Sequence, residues 1–199
     1  MGAAFGTADD GDLFADAAAR RRAASDLDVS PEWAWARQVH GAEVMRASAP
    51  GVQGEGDVLF TSERGLPVAV RTADCVPVVI HADDAVAIVH AGWRGLEAGA
   101  IGQARVALED SGHVPRRAAV GPAIGPCCYE VGDELRELFP QSQSMTSWGT
   151  PSIDLWTEAA RQLEPLNVWQ SDLCTHCEPH FHSFRADGTS LRQISVAWQ

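Results

Sequence analysis

The stretch from Arg71 to Gly95, RTADCVPVVIHADDAVAIVHAGWRG, carries a carboxylate, a thiol, an imidazole and two guanidinium groups at Asp74, Cys75, His90, Arg71 and Arg94. Val76 to Ile80 and Ala85 to Val89 are dense in β-branched residues and are separated by the polar His-Ala-Asp-Asp, which predicts an antiparallel hairpin. With Ile80 paired to Ala85, Cys75 falls opposite His90 on the same face, with Cβ atoms roughly 5 Å apart. A turn one residue longer or shorter breaks that register. A thiol and an imidazole meeting at the open end of a hairpin have two chemical uses. They can aim lone pairs at one metal ion, or act as a Cys nucleophile with its His base.

Each residue alone also has a plainer reading, the Cys as a small buried hydrophobe and the His as a hydrogen-bonded core residue. Thr72, Asp74, Trp93 and Arg94 weigh against it, because hydrophobic packing does not require polar and cationic groups around a strand end. Arg94-Gly95 precedes a predicted helix, so a guanidinium and free helix N–H groups converge on a place suited to an anion. His40, in Gln38-Val39-His40-Gly41, is a second imidazole at the end of an alternating apolar segment. Its role depends on whether the thiol and His90 need a third partner.

The elements that must position these groups are mostly short. Asp16 to Leu27 reads as a helix with Arg20, Arg21 and Arg22 on a solvated face. Trp33 to Val39 reads as an edge or half-buried strand, Glu43 to Ala47 as its continuation, Ser48 to Asp57 as a Gly/Pro-rich loop, and Val58 to Thr61 and Leu66 to Arg71 as strands. Leu96 to Leu108, Gly132 to Phe139 and Ile153 to Leu163 are expected helices, Ala118 to Val120 and Gln193 to Ala197 expected strands, and Gln141 to Pro151 a polar, mobile segment. Many short strands followed by helices indicate an α+β fold: a single domain, residues 1–199, of mixed, stacked β-sheets flanked by helices.

Composition narrows the function classes. The 199 residues are 45% hydrophobic and 21% charged, enough for one substantial core. A net charge of -12 argues against nucleic acid polymers or anionic membranes as partners, which require a basic footprint. No run is long enough to cross a bilayer and the N-terminal MGAAFGTADDGD lacks an export pattern, so a cytoplasmic location is expected. Five Cys then read as free thiols, ligands or nucleophiles rather than a disulfide frame. Cys127 and Cys128 are adjacent and are expected as buried small residues, not as ligands of one tetrahedral metal. Cys174-Thr-His-Cys177 has the spacing of a metal or redox pair, but one CxxC is a weak signal and Pro179 argues against a long helix after it. It is read as structural or incidental, with a second zinc site the less favoured alternative.

Five ordered motifs carry a resemblance: QVHGAEV at 38–44, TADCVPVVI at 72–80, VHAGWRG at 89–95, GPAIGPCCYEVG at 121–132, and CTHC with HSFRADG within 174–188. Together, from about Trp33 to the C-terminus, they resemble the YfiH-type family, also called laccase-domain or polyphenol oxidase proteins and regarded as purine nucleoside phosphorylases. The resemblance implies one Zn2+ on His40, Cys75 and His90, with an open fourth position. It implies phosphorolysis of adenosine, inosine and methylthioadenosine, adenosine deamination through zinc-bound water, and a monomer or homodimer as the working form. On that reading Arg94 and Arg71 are the candidates for holding phosphate, and Asp74, beside Cys75, is the candidate for proton transfer or for supporting the ligand. Residues 1–30 diverge from the family pattern: FGTADDGD stands where an Arg-containing motif is usual. Glu158-Ala-Ala-Arg161 and Arg185-Ala-Asp-Gly188 also depart from the usual Asn-Arg and Arg-Arg-Asp-Gly.

Three alternatives stay open. The older family name suggests a copper (Cu2+) oxidoreductase acting on phenols, although one Cys and two His fall short of a multi-copper ligand set. Cys75 and His90 suit a thiol hydrolase or amidase. A non-enzymatic interaction domain stabilised by zinc is the third.

Overall fold

The structure is a computed structural model describing residues 1–199. The first half of the chain forms β1 (Gly2–Phe5), α1 (Ala17–Asp26), β2 (Ala34–Arg37), β3 (Val44–Arg46), β4 (Gly51–Glu55), β5 (Val58–Thr61), β6 (Val68–Thr72), β7 (Val76–Ala82) and β8 (Val86–Ala91). The second half forms α2 (Trp93–Glu97), α3 (Ala100–Asp110), β9 (Pro115–Val120), α4 (Asp133–Leu138), β10 (Gln143–Met145), β11 (Pro151–Ile153), α5 (Leu155–Leu163), β12 (Asn167–Gln170), α6 (Phe184–Asp187) and β13 (Gln193–Trp198).

Two mixed sheets result, ordered β1-β13-β6-β2-β4 and β12-β9-β7-β8-β5-β3, with β10-β11 as a separate hairpin. Alternation along the strands stacks them. Leu59, Val79, Val86 and Ile88 of the six-stranded sheet pack with Ala34, Ala36, Val68, Val70 and Ala197 of the other. The residues between them, Val58, Phe60, Val78, Ile80, Ala87 and Val89, point the opposite way onto Ile101, Ala104 and Leu108 of α3 and Leu155, Ala159 and Leu163 of α5. On the far face of the five-stranded sheet, Ala69, Ile194 and Val196 meet Ala19 and Ala24 of α1. Helices thus cover both sides of a sheet sandwich, in agreement with the α+β expectation. Covering β7 and β8 on both faces explains why they read as continuous apolar runs.

The hairpin is longer than its β-branched runs suggest. β7 continues through His81 and Ala82, with Ala82 N–H donating to Ala85 O across a two-residue Asp83-Asp84 turn, so Ile80 faces Ala87 rather than Ala85. His90 faces Pro77, and Cys75 lies diagonally from it. Because the displacement is two residues, Cys75 stays on the face that points between the sheets.

Other boundaries differ for local reasons. The expected loop at 48–57 contains β4, whose Gly-rich backbone pairs in parallel with β2, and this pairing makes β2 an interior strand rather than an edge. The expected helix at 96–108 is two helices: α2 begins at Trp93, and Gly99 at φ 76 breaks it from α3. The polar segment 141–151 is ordered as the β10-β11 hairpin, so Ile153 ends a strand. Helix α5 starts only after Asp154, whose carboxylate accepts from Trp156 N and Thr157 N. β1 and β12 were not expected; they pair with β13 and β9 as outer strands.

Candidate active site

His40, Cys75 and His90 are delivered by three separate connections at one end of the sandwich. His40 follows β2, Cys75 sits in the link from β6 to β7, and His90 is near the end of β8. Their ligand atoms all lie within 4.8 Å of one another. The two imidazoles stand edge to face, with ring centroids 4.8 Å apart.

Asp57 organises the group. It is fully buried and accepts four hydrogen bonds: Val39 N at 3.0 Å and Gly41 N at 2.7 Å on Oδ2, His40 N at 3.0 Å and His90 Nδ1 at 2.7 Å on Oδ1. This holds His40 at φ 62, which a non-Gly residue adopts only when its surroundings determine it. It also fixes His90 with Nδ1 on the carboxylate, leaving Nε2 as the nitrogen available to the site. Burial pushes the Asp57 carboxyl up, but His90 and the backbone donors outweigh it and hold it below the ordinary range.

Burial likewise disfavours charge on the other two buried groups, and their neighbours reverse it. The adjacent imidazoles bring the Cys75 thiol down to about 6. The Cys75 thiolate and Asp57 lift His90 to about 9. A thiolate beside two imidazoles is a set of soft and borderline donors that suits an ion such as zinc or copper. The backbone makes room for it. A Cβ at Gly92 would lie 2.9 Å from Cys75 Sγ and 3.5 Å from His40 Cδ2, so this glycine leaves the thiol its space. The residues fit a three-ligand metal site open on the side of exposed His40.

That side faces a cleft of about 600 Å3, ample for a nucleoside-sized molecule. Arg71, Arg94, Arg185 and Arg192 line it, with Trp93, Tyr129 and Phe184 among the apolar walls. Four guanidinium groups converge here although the chain as a whole carries -12. Arg94 lies over the Trp93 ring at 4.2 Å, and Arg185 over Tyr129 at 5.0 Å while donating to Glu130 O at 2.8 Å. Burial, with the Cys75 charge behind it, pushes the Tyr129 phenol up to about 12, so it stays a neutral donor.

Asp74, at φ 89, does not turn toward the ligands. Its Oδ1 accepts from Thr175 Oγ1 at 2.8 Å and its Oδ2 from Arg185 N at 2.7 Å, tying the chain's tail to the floor of the cleft. The Arg71 backbone is held by Gln38, which donates to Arg71 O and accepts from Arg71 N. Asp57, Tyr129, Phe184, Arg185 and Arg192 carry no site assignment in the sequence reading. Tyr129 lies inside the quoted GPAIGPCCYEVG and Phe184 and Arg185 inside HSFRADG, so a signal covered these three, whereas Asp57 and Arg192 lie outside every quoted motif.

Cys128 is buried as expected and Cys127 half-buried, but they are not isolated: they meet Cys174 and Cys177, all four sulfurs within 4.8 Å of one another. Cys127 and Cys128 sit in a turn, where neighbouring side chains can point to one side.

The sequence pattern of one family, described as multi-copper polyphenol oxidoreductase laccase, matches residues 3–199. A purine nucleoside phosphorylase of Streptomyces coelicolor is 39% identical over 194 residues, covering 90% of this chain and 80% of that protein. Purine nucleoside phosphorylase YfiH of Escherichia coli is 36% identical over 191 residues, covering 88% and 76%. Among solved structures, YlmD from Geobacillus stearothermophilus superposes with a TM-score of 0.80 at 30% identity, covering 92% of this chain and 80% of that one. A YfiH protein of Bacillus licheniformis, at 24% identity and a TM-score of 0.85 over 99% and 92%, shares the fold. The chain therefore belongs to the laccase-domain family that contains the YfiH-type purine nucleoside phosphorylases.

Proposed function

We propose that this protein is a zinc-dependent purine nucleoside phosphorylase that takes adenosine, inosine and methylthioadenosine, and also deaminates adenosine, in the cytoplasm. The observation that carries the reading is the meeting of His40, Cys75 and His90 at the mouth of a cleft with four arginines. These three side chains would hold the ion, whose chemistry when bound is that of a Lewis acid able to acidify a water.

The remaining work falls to the chain's own residues. Arg94 and Arg71 hold inorganic phosphate beneath the sugar, and Arg185, fixed by Glu130 O and Tyr129, joins them. Trp93, Tyr129 and Phe184 offer apolar surface to the purine. A phosphate oxygen attacks the anomeric carbon as its bond to the purine nitrogen breaks; the sugar leaves as its 1-phosphate and the base takes up a proton. Positive charge near the phosphate favours that displacement. Asp74 acts as a positioning residue, since both its oxygens are occupied by Thr175 and Arg185 N.

The donor set argues against multi-copper chemistry. The only two groups of three or more possible ligands are the His40/Cys75/His90 site and four cysteines, and neither is the His-rich cluster such chemistry needs. A second reading rests on the Asp57-His90-Cys75 line, which is also that of a thiol hydrolase with an oriented base.

One experiment separates the two: metal content together with phosphate-dependent adenine release from adenosine, in wild type, Cys75→Ala and His40→Ala. Zinc at His40, Cys75 and His90 with release lost in both variants supports the phosphorylase. Full release from metal-free protein would transfer the assignment to Cys75 as nucleophile.

A further inference from the structure

Two turns that are far apart in the chain face each other behind the cleft wall. In the first, Cys128 N and Tyr129 N both donate to Gly125 O at 3.0 Å. In the second, Cys177 N at 3.1 Å and Glu178 N at 3.0 Å donate to Cys174 O. Backbone pairing brings them together, Thr175 N donating to Ala123 O at 2.9 Å beside the Ala123 to Cys174 bridge. Each turn contributes two thiols to one point.

The sulfur positions discriminate between the uses of four thiols. Cys128 Sγ lies 3.3 Å and Cys127 Sγ 3.7 Å from Cys177 Sγ, and all four lie within 4.8 Å of one another. A disulfide requires about 2.05 Å, and all five cysteines are free. Four thiolates at about 2.3 Å from one ion, tetrahedrally placed, stand about 3.8 Å apart. The observed separations bracket that value. A backbone donor completes the picture: Gly125 N–H donates to Cys174 Sγ at 3.2 Å. Such an N–H group stabilises a thiolate ligand as second partners do in metal sites. Gly125 leaves space where a Cβ would come within 3.1 Å of Cys127 Sγ. Cys177 is exposed and provides the entry path.

We propose that Cys127, Cys128, Cys174 and Cys177 form a second zinc site, closed and structural, separate from the His40/Cys75/His90 group. Four sulfur ligands leave no open position, so the ion does no chemistry on substrate. It clamps the 121–132 loop to the tail. Ile124 N donates to Asp74 O at 3.0 Å and Thr175 Oγ1 to Asp74 Oδ1, so the clamp sets the wall against which Tyr129 and Arg185 stand.

The test is zinc per chain by elemental analysis, with X-ray absorption at the zinc edge, on full-length protein reconstituted with Zn2+ under reducing, anaerobic conditions. Wild type, Cys75→Ala and Cys177→Ser are compared. The expected result is that Cys75→Ala keeps about one zinc with an all-sulfur shell near 2.3 Å, while Cys177→Ser loses that shell. Should Cys177→Ser fail to fold, the Cys75→Ala spectrum still decides. This outcome is independent of whether zinc occupies the first site, which Cys75→Ala removes. Cys75→Ala without zinc, iron in place of zinc, or a disulfide from Cys177 to Cys127 or Cys128 in the anaerobic protein would each overturn the assignment.

Discussion

Asp57→Asn changes one oxygen for an NH2 group with almost no change of volume, and so isolates what the Asp57 carboxylate does. Oδ1 accepts from His40 N and His90 Nδ1, and Oδ2 from Val39 N and Gly41 N. Whichever position the amide nitrogen takes, two donors then face a donor. Hydrogen bonds to a charged group contribute about 1.5–3 kcal/mol each, so losing two in a buried place costs about 3–6 kcal/mol of folding stability. His90 also loses the acceptor that sets its tautomer, and disruption of such a partner weakens metal binding by about 10- to 100-fold. Urea unfolding of metal-stripped protein reads the first effect, and competition for zinc against a chelator reads the second. Stability within about 1 kcal/mol of wild type, with zinc affinity unchanged, would refute the argument that Asp57 holds the ligand geometry.

Three further outcomes follow from the same geometry. Gly92→Ala pushes a methyl against Cys75 Sγ; the overpacking cost of about 1–3 kcal/mol should fall on the metal site, weakening zinc binding about tenfold or more in the chelator assay. Arg185→Ala removes a guanidinium stacked on Tyr129, and losing one charged contact to phosphate should lower kcat/KM for phosphate by about 10- to 100-fold, with adenosine binding by calorimetry little changed. Glu158 is buried among Ser142, Arg161 and Gln162; burial raises its pKa, but these partners hold it below 4.5. Its contribution is present above pH 4.5 and is lost as pH falls through the depressed value. Because the Arg161 side chain is 44% exposed and can re-solvate, Glu158→Gln should cost about 1–3 kcal/mol at pH 7 and flatten the acid side of the stability profile measured by urea midpoints.

The meeting of Cys75 and His90 was legible because strand parity is robust: they share a face under any register that slips by two. The register itself was not, since nothing in His81-Ala82-Asp83-Asp84 shows that β7 keeps pairing with β9 on its other side. β4 was hidden because Gly51 to Glu55 has almost no side-chain pattern, and its pairing comes from β2. Asp57 looked like one more polar residue beside a glycine. Its importance lies in three backbone N–H groups from 39 to 41, brought to it by the fold alone. The cysteine pairs were read separately because 45 residues lie between Cys128 and Cys174, and no local spacing rule spans that distance.

His40 comes from the end of a strand in one sheet and His90 from a strand in the other, with Cys75 on the segment that crosses between them. An ion held by all three would be sensitive to how the two layers are seated. Its ligand distances would become a gauge of sandwich packing: a core change outside the cleft such as Val79→Ala or Ile88→Ala, which lets the layers settle closer, would register as altered coordination. Selection for metal affinity would then act on the interior of the whole sandwich as well as on the three residues that would hold the ion.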